Sequence, residues 1–145
     1  MFLKHEADWP AGEPWRQPRR VPPDLSAVQR DLLWCLRRQA MLRPLGSARD
    51  AQVHALLQRQ FGDVGLGLEH LLRCLILAVA RRAVRPVLLH LPCRAAISDD
   101  ERRLLWALAS VDRPARVAAL LAPIAGTRGH ELIPLLAGIS ALLPD

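Results

Sequence analysis

The stretch GLEHLLRCLILAVARR, residues 67–82, contains the longest apolar run of the chain and decides the expected fold. After Gly67 it contains no proline or glycine, and leucine, alanine and arginine all favour helix. Its apolar residues occupy nearly every side of a helix, which is typical of a helix buried inside a domain. A membrane span needs about 20 mostly apolar residues, whereas charged residues interrupt this run at both ends. The stretch therefore predicts the central helix of a soluble core.

The length and composition predict one globular, basic domain. The chain has 145 residues, enough for a single hydrophobic core. Hydrophobic residues make up 51% of it, which is too many for a disordered protein. The formal net charge is +6, and Lys4 is the only lysine, so arginine carries nearly all the positive charge. A basic balance permits a nucleic-acid or acidic-protein partner without establishing either.

The cysteines and the first residues predict a cytoplasmic protein. Two of the three cysteines, Cys35, Cys74 and Cys93, lie in apolar helical patterns, so a disulfide framework is not expected. The segment MFLKHEADWP lacks the apolar centre of a secretory signal. We therefore expect a reducing compartment and no membrane segment.

Residues 1–23 are predicted to form an extended or disordered N-terminal arm. Five prolines in this segment forbid a helix and favour extended structure. Trp9 and Trp15 lie in the same segment, and two interpretations of them stay open. The arm packs back on its own domain, or its tryptophans dock in the groove of a partner.

Residues 24–145 are predicted to form a single helical domain. The fold class is all-α, with five or six helices in a compact bundle around the buried central helix. The apolar periodicity places the helices near residues 25–42, 47–61 and 67–82, after residue 98, after residue 112, and at 129–143. Ser98, Asp99, Asp100 and Glu101 form a capping box, so these acids are expected to be structural. Val87–Pro92 is expected to be extended, without a partner strand.

Two outward faces combine tryptophan with arginine and carry the functional prediction. They consist of Arg30, Trp34, Arg37 and Arg38 on the first helix and Arg102, Arg103 and Trp106 on the fourth. Tryptophan and arginine are enriched at the energetic centres of protein interfaces. The faces predict a non-enzymatic interaction, regulatory or adaptor protein that binds a protein partner or a second copy. The alternative is that each tryptophan packs between helices while the arginines reach past it to solvent.

Nucleic-acid binding is the second functional hypothesis. It uses the same arginines together with Arg81, Arg82 and Arg85, which would contact phosphates. The second and third helices have the lengths of a helix-turn-helix, but the recognition helix would be mostly apolar, which argues against that motif.

A metal site and an enzyme are weaker hypotheses. His70, Cys74, His90 and Cys93 are a legitimate zinc set, although their spacing is not that of a compact finger. Cys74 lies among leucine and isoleucine, where a cysteine usually acts as a small apolar residue. A nucleophile and a base would be supplied by Cys93 with His90, but the sequence places no carboxylate to orient them. We expect no enzyme activity and no cofactor, and the zinc question stays open.

Three stretches together resemble a known family. They are LLWCLRR (32–38), QFGDVGLGLEHLLR (60–73) and LPCRAAISDDERRLL (91–105). The pattern resembles a family of small helical proteins of alphaproteobacteria, a domain of unknown function, over roughly residues 28–143. The resemblance implies clustered cysteines just before the fourth helix, whereas this chain has only Cys93 there. It implies a source and a helical fold but no activity.

Overall fold

A computed structural model describes residues 3–5 and 25–145 of the chain. The described part is mostly helical, which confirms the all-α class. Its helices and strands are β1 (Leu3–His5), α1 (Ala27–Ala40), α2 (Ala51–Phe61), α3 (Gly65–Arg82), β2 (Val87–Leu89), α4 (Asp99–Leu108), α5 (Pro114–Ala125) and α6 (Ile133–Leu142). Short 3₁₀ turns at Gly62–Val64 and Gly126–Leu132 lead into α3 and α6.

Helix α3 is the longest element, and it packs against α1, α2, α5 and α6. Its fully buried side chains include Leu68, Leu72, Ile76 and Val79. One stripe of the helix, which includes Leu66 and His70, remains exposed. None of the helices in residues 25–145 is long and apolar enough to span a membrane.

The glycines before α3 form a helix end and a close contact between helices. Gly62 ends α2 with a φ of 61°, a backbone conformation that glycine adopts without steric cost. Gly65 lies against α2, and a Cβ atom there would come within 2.7 Å of the Leu57 carbonyl oxygen. The tight turn therefore sets how closely α2 and α3 pack.

The prediction that Val87–Leu89 has no partner strand is wrong. β2 pairs in parallel with β1, with Leu3 opposite Val87 and His5 opposite Leu89. All three residues of β2 are buried, so its backbone groups need hydrogen-bond partners that water cannot supply. Three residues of the predicted arm thus belong to the fold. Trp9 and Trp15 lie outside the described residues.

Helix α4 begins at the predicted capping box. The Ser98 hydroxyl accepts from the Glu101 amide at 3.0 Å, and the Ser98 amide donates to the Glu101 carboxylate at 2.9 Å. The same serine donates to the Leu88 carbonyl, while Asp100 accepts from the Leu88 amide and pairs with Arg85. Glu101 therefore caps the helix, while Ser98 and Asp100 fasten α4 to β2.

Three predicted helix starts are corrected. Asp50, not Ser47, caps α2, because its carboxylate accepts from the amides of residues 52 and 53. Helix α5, predicted after residue 112, begins one residue further on, because residue 113 stands before it. The last helix, predicted from residue 129, begins at residue 133, because residues 126–132 form a 3₁₀ turn. Pro134 falls in the first turn of α6, where an amide hydrogen would have no partner within the helix, so its absence has no cost.

Arg37 and Glu101 form a buried ion pair between α1 and α4. Only 4% of the Arg37 side chain and none of the Glu101 side chain is exposed. The Arg37 guanidinium donates two hydrogen bonds to the carboxylate and further ones to the carbonyls of Pro92, Arg94 and Ala96. This single side chain therefore connects α1 with α4 and with the loop before α4.

We expect Arg37→Ala to lower the free energy of unfolding by about 3–5 kcal/mol, because it leaves the Glu101 carboxylate buried without its counter-ion. Arg113→Ala is the matched control, since Arg113 is exposed and lies 4.0 Å from Asp112; it should change stability by less than about 0.5 kcal/mol. Urea unfolding measures both. Equal effects of the two substitutions would contradict the structural role of the pair.

Candidate functional site: a groove beside Trp34

A groove of about 600 Å³ runs along α1 beside Trp34. Its walls come from α1, from α2 and from the loop that follows β2. The apolar lining consists of Leu25, Leu33, Trp34, Leu56, Pro92 and Ala95. The polar lining consists of Arg30, Asp31, Arg37, Cys93 and Arg94. This combination of apolar walls and a few charged groups is typical of a binding site.

Three of the four residues predicted on the α1 face do lie together. Trp34 is half-buried and packs against the hydrophobic core. The Arg38 guanidinium lies 5.4 Å from the centre of the Trp34 ring, within cation–π distance, and also pairs with Asp50 at 2.8 Å. Arg30 is exposed. Arg38 therefore holds the indole ring, which also lines the groove.

The prediction that Arg37 lies on this outward face is wrong. Its side chain is buried because Glu101 and three loop carbonyls surround it. Helical periodicity cannot show this, since every partner lies more than 50 residues away in sequence. Arg37 instead holds the loop that carries Pro92 and Cys93, which forms one wall of the groove.

The second predicted face is less exposed than expected. Trp106 is half-buried and packs on a small cluster of Leu25, Leu33, Ile97 and Leu105. The two arginines of this face are also half-buried. Arg102 lies 3.5 Å from Asp99, and Arg103 donates to the Leu120 carbonyl at 3.2 Å. Trp106 does not line the groove, so the two faces do not form one site.

Sequence reasoning missed Leu25, Leu56 and the loop residues, because their position beside Trp34 is set only by folding.

The arginines predicted for nucleic-acid binding are largely engaged with acids. Arg82 pairs with Glu131 at 2.7 Å, and Arg85 pairs with Asp100 at 2.7 Å. The Arg85 pKa is raised, mainly by its hydrogen bond to Asp100. Arg81 is exposed and forms no ion pair within the described residues.

The four predicted zinc ligands do not come together in the structure. His70 Nε2 lies 3.6 Å from Cys74 Sγ on α3. His90 is buried, whereas Cys93 is exposed in the groove. Among residues 25–145, no three histidine, cysteine or carboxylate side chains are grouped to hold a metal ion.

A second polar cluster surrounds the buried carboxylate of Glu69. Arg49 donates to both carboxylate oxygens, at 2.8 and 2.9 Å, and His54 Nδ1 lies 2.8 Å from Oε2. Among the described residues, the hydrogen bonds of the His54 ring involve only Glu69 and Arg49. A carboxylate that orients an imidazole resembles part of a catalytic triad, but no hydroxyl or thiol is hydrogen-bonded to this ring. The cluster therefore joins α2 to α3.

No protein-family model matches the chain, and comparison with curated proteins and with solved structures also finds no match. The resemblance to the alphaproteobacterial family thus stays a prediction, and the function must be argued from the site itself.

We expect Arg49→Ala to reduce the loss of stability in acid. The Arg49 hydrogen bonds hold the pKa of Glu69 below its ordinary value of 4.5, against the opposing effect of burial. Because the pKa of Glu69 is lower in the folded than in the unfolded protein, its ionised carboxylate stabilises the fold at pH values above the unfolded-state pKa. This stabilisation is lost as the pH falls through the folded-state pKa. Without Arg49 the folded-state and unfolded-state pKa values of Glu69 lie closer together, so the free energy of unfolding depends less on pH. Urea midpoints between about pH 7 and pH 3 test this. Arg81→Ala should leave the wild-type profile unchanged, and an unchanged profile for Arg49→Ala would contradict the assignment.

The cysteines should differ in reactivity. Burial, and then nearby Asp31, Asp50 and Glu69, raise the pKa of Cys35 to about 12, which keeps it a buried thiol. Cys93 is exposed in the groove. With Ellman's reagent on the folded protein, Cys93 should react rapidly and Cys35 only after unfolding, because the thiolate is the reactive form. Cys93→Ser should remove the fastest phase; a fast phase of the same amplitude in that variant would refute the assignment.

Proposed function

We propose that the protein is a non-enzymatic interaction protein that binds a segment of a protein partner in the groove beside Trp34. The observation that carries this proposal is the groove itself, with its apolar lining and its exposed arginine. The partner segment that fits places an apolar or aromatic side chain against Trp34, Leu33 and Leu56. An acidic residue beside it would meet Arg30.

The groove is preorganised, which supports binding. Arg38 stacks on Trp34 and is itself held by Asp50, so the ring loses little freedom when a partner binds. Arg37 holds the opposite loop by hydrogen bonds of 2.8 and 2.7 Å to the carbonyls of Arg94 and Ala96. Both walls are thus ordered by contacts that a partner does not need to supply.

The charge in the groove favours an acidic partner segment. Arg30 is exposed and forms no ion pair within the described residues. Asp31, next to it, has a pKa raised by burial, with Arg59 opposing the shift. The +6 net charge of the chain also speeds encounter with acidic proteins. Binding through an apolar anchor with a charged neighbour is the usual pattern of interface hot spots.

Nucleic-acid binding, the second hypothesis, has less support. Of the three arginines added for it, Arg82 and Arg85 pair with acids. An arginine that is paired with a carboxylate contributes less to phosphate binding, because the pair must first be broken. The three cysteines are free thiols, which fits a reducing compartment, so a cytoplasmic location is proposed as well.

A photo-cross-linker at Cys93 tests the proposal. In a Cys74→Ser background the buried Cys35 does not react, so a benzophenone maleimide labels Cys93, which lies in the groove. The labelled protein is irradiated in nuclease-treated extract of its own cells, and the cross-linked segment is identified by mass spectrometry. The control moves the label to the exposed face of α5, with Cys93→Ser, Cys74→Ser and Ala119→Cys.

We expect the Cys93 label to capture one protein through an apolar segment flanked by acids, and the control label not to capture it. Arg30→Glu should lower the yield about tenfold, corresponding to about 1.4 kcal/mol, and Trp34→Ala at least as much. Equal capture by both labels, or cross-links only within the same chain, would overturn the proposal. Capture that requires nucleic acid would favour the second hypothesis.

A further inference from the structure

His70 and Cys74 form a thiol–imidazole pair on α3, and neither residue lines the groove beside Trp34. They are four residues apart and therefore lie on the same side of the helix. His70 Nε2 lies 3.6 Å from Cys74 Sγ, which is within hydrogen-bonding distance for a sulfur atom. A neutral imidazole that carries its proton on Nδ1 accepts the thiol hydrogen at Nε2. The ring is therefore placed to take the proton of the thiol.

This contact distinguishes Cys74 from the other two cysteines. Cys35 is fully buried, and burial raises its pKa to about 12. Cys93 is exposed, but among the described residues no imidazole is hydrogen-bonded to its thiol. Cys74 is half-buried and His70 is exposed, so a small molecule from solvent reaches both members of the pair. Of the three thiols, Cys74 alone combines access with a base in contact.

The charges that α3 places beside the pair are basic. Arg73 precedes Cys74 and lies three residues from His70, which makes it a neighbour on the helix surface. The one acid of α3, Glu69, is buried and pairs with Arg49. A partly exposed cysteine beside basic groups is typical of reactive thiols, whereas a cysteine buried in apolar surroundings is inert.

We propose that Cys74 is a modification site at which a hydroperoxide oxidises the thiol to a sulfenic acid, with His70 as the base. The sulfur attacks one oxygen of the peroxide, the O–O bond breaks, and the thiol proton passes to His70 Nε2. The imidazolium then protonates the leaving oxygen, so hydrogen peroxide yields one sulfenic acid and one water. The two electrons that the sulfur loses reduce the peroxide bond, so the step requires no further reactant.

Trapping of the sulfenic acid with dimedone tests the proposal. The full chain is reduced, freed of reductant and treated with hydrogen peroxide and dimedone, and peptide mass spectrometry follows the labelling of Cys74 and Cys93 in one sample. We expect Cys74 to be labelled about tenfold faster, although Cys93 is the more exposed thiol. Hydrogen peroxide is much smaller than Ellman's reagent, so the half-burial of Cys74 hinders it less.

His70→Gln should lower the labelling rate of Cys74 about tenfold or more, because glutamine keeps a hydrogen-bonding group beside the sulfur but takes up no proton. The rate at Cys93 in the same variant is the internal control and should not change. His130→Gln is the matched control, since His130 is exposed and its ring lies 2.9 Å from the Thr127 carbonyl oxygen; it should label Cys74 as wild type does. Labelling of Cys74 no faster than that of Cys93, or an unchanged rate in His70→Gln, would overturn the proposal.

Discussion

The buried ion pair between Arg37 and Glu101 is the contact on which the arrangement of the other elements depends. Glu101 closes the capping box of α4 through the Ser98 amide and also accepts from Arg37. Arg37 in turn holds the carbonyls of the loop that precedes α4. A buried charge pair stabilises a fold only if each remaining hydrogen-bonding group is satisfied, because both ions lose their hydration. Here the hydrogen-bonding groups belong to α1, to the loop before α4 and to the start of α4. The ion pair therefore fixes the relative positions of these three segments.

The same principle explains why several arginines lie beside buried carboxylates. Arg38 pairs with Asp50, Arg49 with Glu69, and Arg85 with Asp100. Each of these three carboxylates is at most 7% exposed, whereas the arginines are partly exposed. Arginine suits this position because its long stem reaches solvent while its planar head binds a carboxylate at two points. The arginine-rich composition thus serves the fold as well as the surface.

The groove beside Trp34 follows from these contacts. One wall is α1, whose tryptophan is held by Arg38, and the other is the loop held by Arg37. Cys93, in this loop, is exposed, while Cys35 of α1 is fully buried. A preorganised apolar groove with an exposed arginine has the properties of a binding site.

The sequence by itself determined the all-α class, the helix at 67–82 and the capping box at Ser98. These features depend on local effects: periodicity, backbone conformation and hydrogen bonds between residues three or four positions apart. It also placed Trp34 and Arg38 on one face of α1. Only the tertiary structure decided that Arg37 points inward, that residues 3–5 pair with β2, and that Pro92 and Leu56 line a groove with Trp34. Each of these depends on contacts between distant segments, and periodicity within one helix carries no information about what packs against it.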